Sequence, residues 1–309
     1  MYYLLLIVAI FISALKSPVS KALGSKDAGF FKTMRTNVGI FFCAFLTVFL
    51  MGIKNVGTLF EVPWWLVICF AVCVLGSQIA LMKAVEWGPV SLTSLFNCSG
   101  FIIPTLFGLL YYKEDFHLLQ GVGLVMIFCS LALCVKKEKD KKFNFKWLAA
   151  ALTDFFLLGL IGVWQKILAY TYQSCVLDNF LSVVFLIVVL MSGGIVAISC
   201  LCKKRTGKPR PQEATAQKKE ETPDTRARLR FVLLLFLMGV LLGLANKTNA
   251  FLAGALPGVI VFPFLNGGVI ITTTLLSALL YKEKPSPKQW ISILTGVAAI
   301  IVIAVGQAL

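Results

Sequence analysis

Charged residues interrupt the long apolar stretches of this sequence. The five candidates for a function are Lys16, Lys83, Asp154, Lys166 and Lys247, and Lys21 and Glu86 lie near the ends of their stretches. A charged group at the centre of a bilayer costs about 3 kcal/mol on insertion scales, so each of them needs a physical reason. An ammonium group at such a position can bind an anionic solute, and a carboxylate can bind and release a proton. Asp154 is the only deep carboxylate, and we expect it to be either a proton-coupling group or a counter-ion to a lysine.

The depth of the lysines separates two interpretations. Lys83 and Lys166 lie within about two helical turns of the nearer end of their stretches, so their ammonium groups can also reach the headgroup layer. Lys16 and Lys247 lie about seven and four residues from the nearer end. For these two, solute binding is the favoured interpretation, and together with Lys83 they give the predicted site a positive bias.

Neutral polar side chains accompany these charges. Asp154 and Gln165 are eleven residues apart, close to three full helical turns, so both lie on the same face of a helix. Trp164 beside them either packs in the bundle or stacks on a substrate ring. The candidate substrate-binding residues are Lys16, Gln78, Lys83, Asn97, Trp164, Gln165, Lys247, Asn249 and Asn266, and the candidate coupling residue is Asp154. No metal or cofactor is expected, because no cluster of ligand residues surrounds the only histidine, His117.

The elements that must position these residues are membrane-spanning helices. Hydrophobic residues make up 59% of the chain and charged residues 14%, and the mean hydropathy is +0.88. A bilayer needs about 20 apolar residues per helix. Ten such stretches are present: Tyr2–Leu23, Phe30–Ile53, Pro63–Glu86, Val90–Tyr112, Phe116–Val135, Trp147–Tyr172, Phe180–Cys202, Leu229–Phe251, Gly258–Tyr281 and Gln289–Gln307. We therefore predict an all-α polytopic membrane protein with ten transmembrane helices.

Two similar segments mark an internal repeat. Leu110–Glu114 and Leu279–Glu283 both end in Tyr-Lys-Glu, and each closes one apolar stretch and precedes the next. A shift of 169 positions superimposes them. The same shift aligns Asn97 with Asn266, Gln120 with Gln289 and Gln78 with Lys247. A second shift, of 145 positions, aligns Ser20-Lys21 with Gln165-Lys166 at the ends of the first and sixth stretches. The chain therefore consists of two halves of similar design.

The repeat predicts the domain organisation. We place the first five-helix repeat at residues 1–136 and the second at 146–309, with a basic connection at 137–145. Residues 203–228 inside the second repeat are rich in Lys, Arg, Glu, Gln, Thr and Pro. Because such a composition is too polar to bury a core, we expect a mobile polar loop there.

The distribution of basic residues predicts the orientation. The connections on one side of the predicted bundle hold 23 Lys and Arg, whereas those on the other side hold Lys54 and Lys113. The basic side is expected to face the cytoplasm, with both termini outside, and to contact anionic lipid. Since five spans is an odd number, the second repeat is inverted relative to the first. Two inverted repeats around a central cavity are a common transporter plan.

These motifs together resemble a known family. Each half ends its fourth span with an aliphatic-Tyr-Lys-Glu junction, followed by a Gln that enters the fifth. The first span ends in Ser20-Lys21, the third contains Ala80-Leu81-Met82-Lys83-Ala84, and the fourth contains Pro104. The combination, over essentially the whole chain, resembles the EamA-like transporters of the drug/metabolite transporter superfamily. The resemblance implies an inner-membrane carrier for small organic molecules, with a cavity lined by spans one, three, four, six, eight and nine.

Two features depart from that family. Its members often carry a tryptophan midway along the first span, and this chain has none there. Many members have cytoplasmic termini, whereas the distribution of basic residues here predicts termini on the outside.

Several function classes are disfavoured by the sequence. Gly24-x4-Gly29 begins like a phosphate-binding loop, but Phe30 and Phe31 stand where Lys and Ser or Thr are required. No set of nucleophile, base and acid can be assembled, so an enzyme is not predicted. The net charge of +15 does not indicate a nucleic-acid partner, because the basic residues lie in short tracts between apolar stretches.

The favoured prediction is a secondary transporter in the cytoplasmic membrane that works by alternating access. We expect its substrate to be a small anionic or zwitterionic metabolite, such as an amino acid or an organic or phosphorylated acid, with protons as a candidate coupling ion. Two alternatives remain open. One is a membrane scaffold or sensor that acts through residues 203–228, and the other is a lipid flippase.

Overall fold

The computed structural model describes residues 2–23, 30–53, 61–133, 144–172, 174–206, 225–281 and 286–308. Within these ranges the regular structure is helical, and they contain no strand. In chain order the helices are α1 (Tyr2–Leu23), α2 (Phe30–Gly52), α3 (Trp64–Trp87), α4 (Val90–Ser99), α5 (Ile102–Tyr111), α6 (Leu118–Leu133), α7 (Phe145–Thr171), α8 (Ser174–Thr206), α9 (Thr225–Ala255), α10 (Gly258–Tyr281) and α11 (Pro287–Ala308). The predicted all-α class is confirmed.

Most of these helices have the length and apolarity of membrane spans. In the described ranges, nine helical segments are long and apolar enough to cross a bilayer, with α4 and α5 forming one segment, Leu92–Tyr111. The place of the fifth predicted span is taken by α6, which has 16 residues. The described part of this helix is about 24 Å long, and residues 134–143 that follow it lie outside the described ranges. The architecture is that of a multi-pass integral membrane protein.

The outer surface of the bundle is apolar, as contact with lipid requires. Leu118, Leu110 and Leu279 leave 86%, 79% and 76% of their surface exposed. Monomeric soluble proteins rarely expose large contiguous apolar patches, whereas lipid tails are as apolar as these side chains. The packed interior lies between the helices, where aromatic side chains such as Phe70 and Phe180 meet edge to face with ring centroids 5.6 Å apart.

The predicted polar segments differ from the structure at their ends. The mobile loop expected at 203–228 is wrong at both ends, because α8 continues to Thr206 and α9 begins at Thr225. The apolar stretches mark where lipid begins, and helices extend past that point when the polar residues are good helix formers. The connection expected at 137–145 ends one residue earlier, since α7 begins at Phe145. Residues 207–224, where loop mobility was predicted, lie outside the described ranges.

The fourth predicted span is divided between α4 and α5, and Pro104 explains the division. Proline has no N–H group, so the carbonyl of Gly100 cannot accept the usual bond from residue 104. Instead, the Ile103 N–H group donates to the Gly100 carbonyl oxygen at 3.3 Å, and the Gly100 N–H group donates to Asn97 O at 3.2 Å. These i to i+3 bonds tighten the chain for one turn immediately after Asn97.

Helix packing follows a pattern that relates the two halves. If α1, α2, α3, α4–α5 and α6 are exchanged with α7, α8, α9, α10 and α11 in that order, most of the principal packing pairs map onto another such pair or onto themselves. Thus α6 packs on α11 and α2 on α8, and each of these pairs maps onto itself. The packing of α3 on α7 corresponds to that of α1 on α9, and α2 on α9 corresponds to α8 on α3. The contact of α7 with α4 and α5 corresponds to that of α1 with α10. The packing of α7 on α9 is an exception, because α1 and α3 show no contact of similar extent.

Individual contacts repeat the same correspondence at the crossing of α6 and α11. Ser130 Oγ donates to the Ser292 carbonyl oxygen at 2.7 Å, and Ser292 Oγ donates to Ser130 O at 2.7 Å. Applying the shift of 169 residues to this pair gives Ala299 and Gly123. A β-carbon at Gly123 would lie 3.0 Å from Ala299 O, so these two residues are also in close contact.

The helices that follow the two Tyr-Lys-Glu junctions also begin alike. The side-chain oxygen Oε1 of Gln120 accepts a hydrogen bond from the His117 N–H group at 3.0 Å. Oε1 of Gln289 accepts one from the Ser286 N–H group at 2.8 Å. The two contacts are related by the shift of 169 positions. Each aligned glutamine therefore accepts a hydrogen bond from an N–H group at the start of a helix, where the helix itself offers no acceptor. The repeated glutamine therefore has a structural purpose.

Candidate functional site

Asp154 lies at the meeting point of three helices. It is on α7, about 14 Å from the start of that helix at Phe145, and its surface is 0% exposed. Ser77 of α3 donates a hydrogen bond from Oγ to Oδ1 at 2.6 Å. Asn97 of α4 donates from Nδ2 to Oδ2 at 2.8 Å. Each carboxylate oxygen thus accepts a hydrogen bond from a neutral side chain, and this arrangement stabilises the ionised carboxylate inside the bundle.

The helices around Asp154 are held in register by close contacts on both sides. Trp147 is buried against the start of α4, and its Nε1 donates to Thr93 Oγ1 at 2.9 Å. Further along, a β-carbon at Gly100 would lie 3.3 Å from the carbonyl oxygen of Phe155, so the end of α4 approaches α7 closely. These two contacts fix the sliding position of α4 on α7, and that position determines whether Asn97 reaches Asp154.

A second buried polar cluster surrounds Glu114, which follows α5. Its carboxylate forms an ion pair with Nζ of Lys166, and the side chains of Lys166 and Glu114 are 0% and 6% exposed. Tyr170 donates from its hydroxyl to Glu114 Oε1 at 2.8 Å. The Gly258 N–H group at the start of α10 donates to Oε2 at 2.8 Å. The carboxylate therefore binds an ammonium group, a phenol and the positive end of a helix dipole.

The turn that brings Glu114 into this cluster explains the Tyr-Lys-Glu motif of the first half. Lys113 has a φ of 51°, in the left-handed region, and the Glu114 N–H group donates to Gly108 O at 3.4 Å. The chain therefore turns back over the end of α5, and the Glu114 side chain enters the bundle. Tyr112 stacks on Tyr170 with ring centroids 4.2 Å apart, and burial raises the pKa of the Tyr112 hydroxyl.

The repeat allows the Asp154 cluster to be compared with its counterpart in the other half. Under the shift of 169, Ser77 corresponds to Asn246 and Asn97 to Asn266, and under the shift of 145, Asp154 corresponds to Ala9. Asn246 Nδ2 donates to Leu242 O at 3.0 Å, and Asn266 Nδ2 donates to Phe262 O at 2.9 Å. Both amides therefore bond to their own helix, and the position of the carboxylate is taken by a fully buried alanine.

The other residues predicted for the site are spread over several places. Lys83 is four residues from the end of α3 and forms an ion pair with Glu86 at 2.8 Å. Its Nζ lies 5.0 Å from the Phe30 ring centroid and 5.5 Å from that of Trp87, which fits a position at the end of the bundle. Trp164 packs edge to face on Trp65, with centroids 6.1 Å apart.

The remaining candidates lie within the helices without joining the Asp154 cluster through a described hydrogen bond. Lys16, Gln78 and Lys247 are half-buried, and Gln165 is 5% exposed. The Oδ1 atom of Asn249 is buried, and the described residues offer it no hydrogen-bond partner. The structure thus joins two predicted site residues, Asp154 and Asn97, and leaves the placement of a solute among the others as a prediction.

Sequence analysis missed Ser77, Glu114 and Tyr170 as site residues. Ser77 carries no visible signal, because a serine in a membrane helix more often bonds its own backbone, as Ser99 does to Leu95 O at 2.7 Å. Glu114 did carry a signal. Its recurrence as Glu283 was used to find the repeat, although the pairing of Glu114 with Lys166 was not inferred.

Comparison with known proteins supports the fold and gives no function. No protein-family model matches this chain, and no curated protein matches its sequence. Among solved structures, the crystal structure of one protein matches with a TM-score of 0.70 and 14% sequence identity. The match covers 98% of this chain and 96% of the other. At that identity the likeness shows that the whole chain adopts a fold seen in a solved structure, and nothing about activity.

Proposed function

We propose that this protein is a secondary transporter that carries a small organic metabolite across the cytoplasmic membrane by alternating access. The corresponding packing pairs of the two halves support this proposal, because two repeats related by a two-fold axis should pack in such pairs. With the five spans predicted for each half, that axis would lie in the membrane plane and the halves would be inverted. The motifs that resemble the EamA-like transporters favour the same assignment.

The proposal depends most on the hydrogen bonds that Asp154 accepts from the other half. Its carboxylate belongs to the second half, whereas its donors Ser77 and Asn97 belong to the first. A movement of one half against the other would therefore make and break these hydrogen bonds. A proton on Oδ2 would face the Asn97 amide donor and weaken that contact. Protonation of Asp154 and the relative position of the halves are thereby linked, as proton-coupled transport requires.

The charges near the bundle interior favour an anionic or zwitterionic substrate. Lys16 on α1 and Lys247 on α9 are half-buried, and α1 packs on α9. An ammonium group in these surroundings attracts a carboxylate or phosphate. The buried Oδ1 atom of Asn249 can accept a hydrogen bond from the amino group of a zwitterion. We propose a solute of the size of an amino acid or an organic acid.

The proposal is tested by flux into proteoliposomes. Purified protein is reconstituted and offered amino acids, organic acids, phosphorylated metabolites and cationic dyes, with and without an inward proton gradient. We expect uptake of an anionic or zwitterionic solute that the gradient changes, and an Asp154→Asn variant that no longer responds to the gradient. Asn246→Ala is the control, because that amide donates to Leu242 O of its own helix and is not a candidate substrate-binding residue. Absence of flux for every solute class would contradict the transporter proposal.

A further inference from the structure

The ion-paired cluster around Glu114 joins the two halves at one end of the bundle. Glu114 follows α5 of the first half, whereas its three partners belong to α7 and α10 of the second half. We name the set of Glu114, Lys166, Tyr170 and Gly258 the Glu114 latch. Lys166 forms an ion pair with this carboxylate, and Tyr170 and Gly258 donate hydrogen bonds to it, so separation of α5 from α7 and α10 breaks all of these contacts together.

Two glycines make room for the latch, so it is a built site. A β-carbon at Gly108 would lie 2.5 Å from Glu114 Oε2 and 3.0 Å from Lys166 Cε. A β-carbon at Gly258 would lie 2.8 Å from Lys166 Nζ. Larger residues at either position would displace the pair. A buried ion pair gains little over apolar packing, but removal of one partner leaves an uncompensated charge and costs several kcal/mol.

A buried pair with that property is suited to switching. While the halves are in contact, the Glu114 carboxylate and the Lys166 ammonium satisfy each other and the surface above them is closed. When the halves separate at this end, both charges gain access to water, which offsets the loss of the pair. The closed and open arrangements can therefore lie close in free energy, as alternating access requires.

We propose that the Glu114 latch is the gate that closes this end of the transporter, and that its opening exposes the space between α5 and α10. This inference rests on the proposed alternating-access function. The shift of 145 aligns Lys21 with Lys166, and the shift of 169 aligns Glu114 with Glu283. The same two residue types therefore occur at the aligned positions. Since Glu283 lies outside the described residues, the test concerns the Glu114 end alone.

Labelling of a buried cysteine tests the gate without any knowledge of the substrate. In a cysteine-free variant in nanodiscs, Thr105→Cys is the probe, because Thr105 is 1% exposed and its Oγ1 lies 3.4 Å from Gly258 O. We measure its rate of reaction with a water-soluble maleimide. Glu114→Gln and Lys166→Met should each raise this rate roughly tenfold or more, because the closed arrangement loses its pair. The milder change Tyr170→Phe should raise it by a smaller factor.

Two controls separate opening of the gate from unfolding. Ser292→Cys, which is 2% exposed between α6 and α11, should remain unreactive in every latch variant. The substitution Glu86→Gln, which breaks the ion pair with Lys83, should leave Thr105→Cys labelling unchanged. Unchanged labelling of Thr105→Cys in the latch variants overturns the proposal, and so does equal labelling of both probes. Because no solute flux is measured, failure here is distinct from failure of the transport assay.

Discussion

The Asp154 cluster and its counterpart around Ala9 occupy equivalent places in the two halves, yet only one holds a carboxylate. Ser77 and Asn97 donate to Asp154, whereas Asn246 and Asn266 donate to carbonyl groups of their own helices. Ala9 is fully buried in an apolar cluster that includes Leu252 and Phe262. Of the two sets of aligned residues, the one that contains Asp154 has a carboxylate and the one that contains Ala9 has none.

The difference teaches how a buried polar group depends on its partners. An asparagine amide in a membrane helix can satisfy a donor on a carbonyl four residues earlier, so it does not need a partner across the bundle. A carboxylate has no such option, because its helix offers it no free N–H group. Asp154 therefore requires donors from other helices, and this requirement ties its protonation to the packing of α3, α4 and α7.

The largest effect is expected when a carboxylate is placed in the empty counterpart. Ala9→Asp introduces a buried charge into an apolar cluster, and the aligned amides of Asn246 and Asn266 are already bonded to their own helices. We expect a loss of stability of about 3–5 kcal/mol, because an uncompensated charge inside the bundle is costly. Thermal unfolding in detergent measures it, with Ala9→Asn as the uncharged control of nearly the same volume as the Asp variant. Wild-type stability in the Asp variant would show that the two places are equivalent after all.

A smaller effect is expected from removal of one donor in each half. Asn97→Ala removes a hydrogen bond to the Asp154 carboxylate, which contributes about 1.5–3 kcal/mol for a charged acceptor. We expect the proton concentration at half-maximal flux to fall roughly tenfold or more, because the ionised form loses a donor. Asn266→Ala should change it less than about twofold, since that amide bonds only to Phe262 O. Equal shifts in both variants would contradict the assignment of coupling to Asp154.

The second charge difference between the halves is Lys247, whose equivalent in the first half is Gln78. Lys247→Gln makes the two positions alike and removes a positive charge from the bundle. We expect the preference for anionic over neutral solutes to fall roughly tenfold, because the variant lacks the positive charge that attracts an anion inside the bundle. Competition between charged and neutral analogues in the flux assay measures this preference. If it persists unchanged, the lysine does not select the substrate.

The smallest effect is expected from the long polar connection, which only the second half contains. Deletion of residues 207–224 removes part of a segment rich in Lys, Arg, Glu and Pro that joins α8 and α9. A carrier should keep its solute flux within about twofold, because such polar segments contribute little to a packed core. A scaffold or sensor acting through this segment would instead lose its activity, and the same flux measurement in proteoliposomes distinguishes the two.

Much of the fold could be predicted because lipid imposes simple rules. Apolar stretches of the length of a bilayer predicted the helices, whereas the repeat inferred from the aligned Tyr-Lys-Glu junctions stays a prediction. The helix ends at Thr206 and Thr225 were missed, since hydropathy marks the lipid boundary and not the end of hydrogen bonding.

The site could be predicted only where a single residue carries an unambiguous cost. Asp154 was identified because a carboxylate deep in a bilayer is costly, and this cost can be recognised without knowledge of its partners. The partner Ser77 lies 77 positions away, and its contact depends on how α3 and α7 slide on each other. Likewise, both residues of the Glu114–Lys166 pair were noticed separately, but their contact depends on the left-handed turn at Lys113. Long-range register of this kind is set by packing and is not visible in a local pattern.

Proton movement into sealed proteoliposomes that contain a pH-sensitive dye tests the central claim most directly. We expect addition of the transported solute to the wild-type protein to change the internal pH, and the Asn246→Ala variant to do the same, because that amide donates only to its own helix. The Asp154→Asn variant should leave the internal pH constant, because the carboxylate that binds the proton is absent. A pH change of wild-type size in Asp154→Asn would contradict the account.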